Sequence, residues 1–404
     1  MDLDMLHPLT AFPPTRAAAL DRLGRFAPKA GGAYDAGRNT DPGPDQPGAV
    51  SKLSPYLRRR LITEAEVTAR VLDHHSAQAA EKFLQEVLWR TYWKGWLEMR
   101  PGVWNRFLQE RAAQRDRWAG SMDMQDAEQG RTGIEGFDDW ARELVATGYL
   151  HNHARMWFAS IWIFTLRLPW VLGADFFLRH LLDADPASNT LSWRWVAGLQ
   201  TRGKTYLATT ENIARYTKGR FAPAGLAPMA EPLMEPPLEA PRPLPDAESR
   251  MPDEPTLLLI TDEDLYPESM FPARANLSAA LIASDPHLHE GALSGAFAGQ
   301  AAEDTAARVA DYFGIEVQRT ARLDADSVMR VADAAHVRQI ITPYAPVGPV
   351  ASALSALTAP LAAAGMSLRT HRRSWDAQFW PCADKGFFSF KERIPAGLRT
   401  CGLI

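Results

Sequence analysis

The chain has 404 residues, a length typical of two or three domains. Hydrophobic residues make up 46% and charged residues 23%, so the composition excludes a wholly disordered protein. The net charge of −4 argues against a protein that coats nucleic acid, yet residues 1–220 hold 29 Lys and Arg against 25 Asp and Glu, an excess that could bind a DNA backbone locally. The two cysteines, Cys382 and Cys401, exclude a disulfide framework, a four-cysteine zinc site and an all-cysteine iron–sulfur cluster, and we expect both to be free thiols.

The first half of the chain has a helical pattern and almost no strand signal. From Ser76 to Arg100 there is no proline and one glycine, and apolar residues recur every three or four positions. The pattern predicts further helices at 136–147, 152–168, 173–182 and 207–217. The most apolar stretch, Met156 to Leu166, is too short to span a bilayer, so we expect a buried helix there and no membrane partner. The start of the chain has no secretory signal pattern, and we expect a soluble, cytoplasmic monomer.

The second half has a different pattern. Residues 222–255 contain ten prolines in 34 positions, which predicts a semi-rigid linker. Beyond it, β-rich runs at 256–261, 315–320, 337–342 and 366–372 alternate with alanine-rich stretches, for which we predict helices at 274–284, 301–313, 324–335 and 349–364. Alternating strands and helices indicate a parallel sheet covered by helices. The sequence therefore predicts an all-α domain at 1–221, a linker at 222–255 and a Rossmann-like α/β domain at 256–404.

Polar groups and tryptophans are concentrated in the segment 181–195. It holds Asp183, Asp185 and Asn189, followed by Trp193 and Trp195, and such polar groups are costly to bury without partners. The chain has 13 tryptophans, and 11 of them lie between positions 89 and 195. Composition alone favours a helix end with a polar turn over a tryptophan-rich core.

Five blocks in order change that interpretation, because together they resemble the signature of the DNA photolyase/cryptochrome family. The blocks are Ser51-Lys52-Leu53-Ser54-Pro55-Tyr56-Leu57, Glu86-Val87-Leu88-Trp89-Arg90-Thr91-Tyr92-Trp93, Gly130-Arg131-Thr132-Gly133 with Asp138, Tyr149-Leu150-His151-Asn152-His153-Ala154-Arg155-Met156, and the segment 181–195. The chain is identified as a member of this family. The resemblance implies an all-helical FAD-binding domain and an α/β domain. The family usually begins with the α/β domain, so the opposite order here implies a circular permutation.

The resemblance implies a set of FAD-binding residues. Ser54 before Pro55 is a good N-cap, and a helix start beside Ser51 and Lys52 offers N–H groups, hydroxyls and a cation to a diphosphate. Within the family, an Arg155–Asp183 ion pair would lie beside the isoalloxazine ring, Asp185 would accept from the ring edge and Asn189 would face flavin N5. The full implied set is Tyr34, Ser51, Lys52, Leu53, Ser54, Asn152, Arg155, Asp183, Asp185 and Asn189.

The resemblance also implies a lesion site. Glu86, Trp89, Arg90 and Trp93 lie on one face of a helix, a pattern that an amphipathic helix with a charged rim would explain by itself. In the family, Trp89 and Trp195 would stack a flipped-out pyrimidine dimer and Glu86 would hydrogen-bond its bases. Members that repair (6–4) photoproducts carry His at two positions where this chain has Asn152 and Met156, so the pattern is that of cyclobutane-dimer enzymes.

Three further tryptophans match the family's electron-transfer chain, namely Trp193, Trp170 and Trp118, although sequence alone would make them core aromatics. Arg38 and Arg90 are candidate phosphate contacts. An arginine that the family places after its motif asparagine is His153 here, which makes that phosphate contact weaker or pH-dependent. The stretch after Tyr206 also departs from the family, so we expect the DNA contacts to differ from those of the best-known enzymes.

These features lead to one function and two alternatives. The leading hypothesis is a light-driven deoxyribodipyrimidine photolyase that acts on UV-damaged DNA with FAD, and the sequence identifies no antenna chromophore. One alternative is a cryptochrome-like blue-light receptor that signals to a protein partner, and the other is a flavoprotein of dark redox chemistry. His74-His75 and the pair His287 and His289 are interpreted as surface histidines, and no metal site is predicted.

Overall fold

A computed structural model describes residues 6–247 and 250–404. The chain first forms a helical part, in which helices lie at all five predicted positions, whereas the 16-residue helix Gly102–Arg117 was not predicted. Its helices are α1 (Leu6–Ala11), α2 (Arg16–Phe26), α3 (Gly32–Gly37), α4 (Ser54–Arg58), α5 (Glu64–Leu72), α6 (Glu81–Glu98), α7 (Gly102–Arg117), α8 (Met122–Gln129), α9 (Phe137–Thr147), α10 (Asn152–Ser160), α11 (Trp170–His180), α12 (Pro186–Val196) and α13 (Thr210–Tyr216). A π-helical turn, Ile161–Thr165, follows α10. None of the helices in the described parts of the chain is both long and apolar enough to cross a membrane.

The sheet of the second part has five parallel strands in the order β3-β2-β1-β4-β5. This is the strand order of doubly wound folds, so the predicted combination of a helical part with a Rossmann-like part is confirmed. The strands are β1 (Thr256–Thr261), β2 (Leu277–Ala283), β3 (Glu316–Thr320), β4 (Gln339–Pro343) and β5 (Ser367–His371), and the helices are α14 (Ala292–Phe313), α15 (Ala325–Ala334), α16 (Pro349–Ala363), α17 (Ser374–Phe379) and α18 (Phe387–Thr400).

One element of this part was predicted wrongly. The alanine-rich segment 274–284, expected to be a helix, contains strand β2, which pairs with β1 on one side and β3 on the other. Six of the seven residues of β2 are buried. A strand covered on both faces is a continuous apolar run without alternation, and periodicity cannot distinguish such a run from a buried helix.

The proline-rich segment is extended and packs along the surface of the helical part, as the contacts of Leu233 and Glu235 show. The backbone N–H of Leu233 donates to the carbonyl of Ala197 at 3.0 Å. The carboxylate of Glu235 pairs with the guanidinium of Arg194, which is 1% exposed and lies in α12 between Trp193 and Trp195. The segment therefore supplies a charge partner for the helix that carries the predicted site residues Asn189, Trp193 and Trp195.

Buried ion pairs join the two parts. Arg58, at the end of α4, binds the carboxylate of Glu263 through both terminal nitrogens, one of them at 2.6 Å. Arg60 binds Asp376 through one terminal nitrogen at 2.5 Å and Asp264 through the other at 3.3 Å, and these pairs lie almost entirely out of solvent. Arg59 and Asp262 both contact His289, whose side chain is 5% exposed, so the prediction of a surface histidine is wrong at this position.

The C-terminal helices complete the core around α6. The indole N–H of Trp375 in α17 donates to the Thr91 hydroxyl at 3.0 Å. A Cβ at Gly95 would come within 2.8 Å of the Trp380 backbone, so the close approach of these elements requires glycine. Phe387, Phe390 and other residues of α18 belong to the same apolar cluster as the tryptophans of the helical part.

The domain limits 1–221, 222–255 and 256–404 stay a prediction, although residues 374–400 pack against the first part.

Candidate active site

Three helices bring the predicted acidic and basic residues into one buried centre. Arg90 of α6 donates to Asp185 at 2.7 Å and lies 3.9 Å from Asp183. Arg155 of α10 lies 3.6 Å from Asp183, so the structure forms the ion pair that the sequence predicted. Arg58 adds a further cation 3.6 Å from Asp185, which connects this centre to the ion pairs between the two parts.

The turn before α12 fixes both carboxylates. Asp185 is the N-cap of the helix, where its side chain accepts from the backbone N–H of Ser188 at 2.7 Å, and Pro186 occupies the first helical position. Burial acts to raise the pKa of Asp185, but the surrounding cations, led by Arg90 and followed by Lys94 and Arg58, together lower it well below its usual range. The Asp185 side chain is therefore a permanent anion at the start of α12.

Asn189 lies one turn further along α12 and is 8% exposed. Its amide nitrogen donates to the carbonyl oxygen of Ala174 in α11 at 2.8 Å. This bond fixes the orientation of the side chain, because the carbonyl of Ala174 can accept only from the NH₂ end of the amide. Its amide oxygen takes part in no hydrogen bond within 6–247 and 250–404, so it is left to accept from a ligand.

The N-terminal loop and α4 lie beside this centre. The helix begins at Ser54 with Leu53 as its cap residue and no side-chain cap, so the prediction of Ser54 as N-cap is wrong by one position. Lys52 adopts a left-handed backbone with φ of 52°. Its ammonium group lies 5.1 Å from the ring centre of Tyr149, and the guanidinium of Arg155 lies 5.8 Å from the same ring. Tyr149 thus joins the Lys52 loop to the Arg155–Asp183 pair.

Glu86 and Arg38 form a half-exposed pair at 3.2 Å on the other side of the loop. The Glu86 side chain keeps 38% of its surface exposed. Partial burial nevertheless raises the pKa of its carboxyl group, and the charge of Arg38 opposes that effect. Tyr34 is buried nearby, and burial, followed by the charge of Glu86, raises its pKa. Arg38, predicted as a phosphate contact, is therefore engaged with Glu86, the residue predicted to contact the bases.

Each of the two predicted stacking walls already carries a ring of the protein. Phe387 of α18 stacks on Trp89 with ring centres 3.5 Å apart and planes inclined by 9°. Tyr206 stacks on Trp195 with centres 5.7 Å apart and planes inclined by 29°. The position of Phe387 on Trp89 could not be predicted from the sequence, because only tertiary packing brings the C-terminal helix to α6.

The three residues of the predicted electron-transfer set lie at increasing exposure. Trp193 is buried, with the ring of Phe177 at 5.1 Å and that of Trp162 at 6.3 Å. Trp170 begins α11 and contacts Phe107 at 5.9 Å, and Trp118 lies half-buried at the end of α7. Trp162, which the family pattern did not include, packs at right angles to Trp193.

The residues of the α10 block differ in accessibility. Asn152 is exposed at the first position of the helix and Met156 is half-buried. The ring nitrogen Nδ1 of His153 lies 2.8 Å from the carbonyl oxygen of Asn39, and the ring stacks between Trp157 and Tyr216. Burial lowers the pKa of His153, so its imidazole is neutral at pH 7 and offers no cation to a phosphate.

Comparison with known proteins matches the helical part. Residues 83–221 match the FAD binding domain of DNA photolyase. The chain is 36% identical to a deoxyribodipyrimidine photo-lyase of Streptomyces griseus over 38% of this chain and 33% of that protein, and 27% identical to one of Escherichia coli over 48% of this chain and 42% of that protein. A crystal structure of a class III photolyase from Agrobacterium tumefaciens is similar with a TM-score of 0.42 and 28% identity over 50% of this chain and 43% of that one. The chain spans between about a third and two fifths of the length of the first curated relatives it matches.

The residues of the centre fit an FAD. Besides the Asn189 oxygen, the buried hydroxyl of Ser188 and the Nε atom of Arg38 have no hydrogen-bond partner within the described ranges. Buried polar groups without partners are costly, and a polar ligand beside them would remove that cost. The cations Lys52 and Arg155 lie next to the same Tyr149 ring, as a ligand with an anionic diphosphate requires. FAD is therefore the cofactor that both the family match and the free polar groups indicate.

Proposed function

We propose that this chain, a member of the photolyase/cryptochrome family through its helical part, is an FAD-dependent enzyme that uses blue light to split cyclobutane pyrimidine dimers in DNA. The observation that supports the proposal most is the convergence of Arg90, Arg155, Asp183, Asp185 and Asn189 in one buried centre beside the helix face of Glu86 and Trp89. These residues come from three helices that are separate in sequence. If the segment 181–195 were only a helix end with a polar turn over a tryptophan-rich core, these residues would have no reason to converge.

The residues that would hold the cofactor divide into two groups. Ser51, Lys52, Leu53, Ser54 and Tyr34 would hold the diphosphate and the ribityl chain, and the ammonium of Lys52 would neutralise part of the phosphate charge. The Arg155–Asp183 pair, Asp185 and Asn152 would flank the ring system, and the Asn189 oxygen would accept from N5–H. Excited reduced FAD supplies the electron that opens the dimer. The chain's contribution is to orient the ring system and fix the charges around it.

The lesion would be held by the helix face beside this centre. Trp89 and Trp195 would stack the flipped bases, and such stacking contributes about 1–3 kcal/mol per base. Glu86 would contact a base edge through its carboxyl group, whose pKa is raised by burial against the opposing charge of Arg38. Asn152 and Met156 would line the remaining edge. Trp193, Trp170 and Trp118 would return electrons to the cofactor from the surface.

Three phosphate contacts were predicted, and each of the three side chains already has a partner in the protein. The guanidinium of Arg90 is bound to Asp185, and His153 is held at the Asn39 carbonyl. Arg38 keeps 27% of its side chain exposed beside Glu86. We therefore assign the DNA phosphate contact to Arg38 and place Arg90 with the cofactor.

A repair assay tests this proposal. Purified protein with photoreduced flavin is given a thymine-dimer oligonucleotide, single- or double-stranded, in blue light and in darkness. We expect light-dependent loss of dimers, a large loss of rate in Glu86→Gln and Trp89→Ala, and no change in Glu303→Gln, whose carboxylate belongs to an exposed surface pair. Absence of repair by protein whose flavin photoreduces would contradict the proposal.

One observation favours a second candidate, a cryptochrome-like receptor. Both stacking walls carry a protein ring, Phe387 on Trp89 and Tyr206 on Trp195, as a protein that no longer binds a lesion would tolerate. The same assay separates the two functions. A receptor would photoreduce its flavin, show no dimer loss, and bind dimer-containing DNA no better than undamaged DNA.

We also propose that the chain is a circular permutation of the usual domain order, with residues 222–255 joining the two domains. The doubly wound strand order of the second part supports this proposal. Limited proteolysis within 222–255 tests it. Two fragments that remain associated and keep FAD would support the domain assignment, and loss of the cofactor on cleavage would contradict it.

A further inference from the structure

The ring of Phe387 covers one face of Trp89, the indole proposed to stack a flipped base. Their ring centres lie 3.5 Å apart and the planes differ by 9°, and Phe387 is 7% exposed. A base stacked on an indole takes up the same separation and the same orientation. With Phe387 in place, a base cannot stack on this face of Trp89.

The geometry of this contact makes it replaceable. A centre-to-centre distance equal to the usual stacking separation leaves almost no lateral offset, and aromatic pairs prefer an offset or edge-on arrangement to such a sandwich. Tyr92 lies edge-on to both Trp89 and Phe387 at 83° and 78°, and Trp93 is tilted by 38° to Trp89, so Phe387 is the ring that lies parallel to Trp89. A pyrimidine offers a polarised ring and carbonyl groups that a phenyl ring lacks.

Phe387 is held in place by its own backbone segment. The Tyr92 hydroxyl donates to the carbonyl of Lys385 at 2.8 Å, and Arg100 donates to the carbonyl of Asp384 at 2.7 Å. Phe387 is the first residue of α18, directly after the exposed Gly386, whose Cβ position has no atom within 4 Å. The first turn of α18 therefore has space on its outer side and two side-chain bonds that keep it closed.

We propose that Phe387 is a placeholder for a flipped base: it covers Trp89 in the free protein and leaves that face when a pyrimidine dimer enters. This inference rests on the proposed function, in which Trp89 is a wall of the lesion site. The opening step breaks the two hydrogen bonds to 384–385 and separates Phe387 from the rings of Trp89, Tyr92 and Phe390. The base that enters then takes over the stacking on Trp89. Phe387 thereby sets the affinity of the site, because every lesion must compete with it.

The test compares three variants by their affinity for a single-stranded oligonucleotide with one thymine dimer and for the same oligonucleotide without damage, measured in the dark. Phe387→Ala removes the competing ring, and we expect tighter binding of the damaged strand by about 2- to 12-fold, the range that one aromatic pair contributes. Tyr92→Phe keeps every ring and removes one of the closing hydrogen bonds, so we expect a smaller gain in the same direction. Phe388→Ala is the matched control, because this neighbouring ring is 85% exposed and stays clear of Trp89.

The outcomes separate the inference from the proposed function. Tighter binding of the damaged strand by Phe387→Ala and Tyr92→Phe, with Phe388→Ala unchanged, supports the placeholder. Unchanged or weaker binding by Phe387→Ala, in a protein whose wild type prefers damaged DNA, overturns it and shows that Phe387 supports Trp89 from behind. A wild type without preference for the damaged strand overturns the proposed function itself, and the placeholder with it.

Discussion

The ion pair between Arg58 and Glu263 gives the sharpest test of how the two parts of the chain are held together. Replacing Glu263 by Gln keeps the shape of the side chain and removes its charge. Arg58 is 3% exposed and would then be a buried cation without its main partner. The Nε atom of Arg58 lies 3.6 Å from Asp185, so part of the charge remains compensated.

The magnitude follows from burial. Removing one partner of a buried ion pair typically costs about 3–5 kcal/mol, because the other charge stays behind without compensation. Because Asp185 remains as a second partner, we expect Glu263→Gln to lower the free energy of unfolding by the lower value, about 3 kcal/mol. The exposed pair of Arg319 and Glu303 is the matched control, with side chains 48% and 59% exposed. Glu303→Gln should change the free energy of unfolding by less than about 1 kcal/mol.

Urea unfolding followed by circular dichroism measures both variants, and a double variant tests the reason. Arg58→Met with Glu263→Leu removes both charges and fills the space with apolar groups, so its stability should exceed that of Glu263→Gln. Equal losses in Glu263→Gln and Glu303→Gln would show that burial does not set the cost. A double variant less stable than the single one would refute the uncompensated charge as its cause.

Three further variants test separate features. A Cβ at Gly173 would lie 2.3 Å from the Trp193 ring, so Gly173→Ala should lower the free energy of unfolding by about 1–3 kcal/mol and shift tryptophan fluorescence. Gly299→Ala, in the interior of α14 with open space, should instead raise the free energy of unfolding by about 0.5–1 kcal/mol and leave the fluorescence unchanged. Burial, followed by the charge of Asp41, raises the pKa of Glu143 from 4.5 to about 7, so wild-type stability falls as pH rises between these values. Glu143→Gln removes that fall, so the thermal midpoint of this variant should exceed that of wild type above pH 7 and converge with it below pH 4. A variant less stable than wild type above pH 7 would contradict this reasoning. Lys52→Ala should lower the FAD content of purified protein, measured by flavin absorbance, and an unchanged content would exclude Lys52 as a phosphate ligand.

The sequence could predict the parts of the site that lie in contiguous motifs. Asp183, Asp185 and Asn189 are fixed by one helix start, where the cap and the proline are visible in the sequence, and their partner Arg155 lies in a second motif. Five helical stretches of the first part could be predicted for the same reason, since amphipathic periodicity is a local property, but α7 was not among them.

Features that depend on contacts between distant segments could not be predicted. Strand β2 is apolar on both faces because helices and neighbouring strands cover it, and that context is absent from the run Leu277–Ala283 itself. The buried state of His289 depends on Arg59 and Asp262, and the stack on Trp89 depends on α18. In each case the partner lies tens to hundreds of residues away, and no periodicity records it.

Helix α6 is contacted by both parts of the chain. One side of this helix carries Glu86, Trp89 and Arg90 towards the proposed cofactor and lesion. Its C-terminal half packs against the second part, where the carboxylate of Glu98 accepts a hydrogen bond from the Tyr344 hydroxyl at 2.7 Å. The position of the stacking wall is therefore set from both parts at once. The contacts of α17 and α18 with α6 therefore tie the position of Trp89 to the segment 374–400.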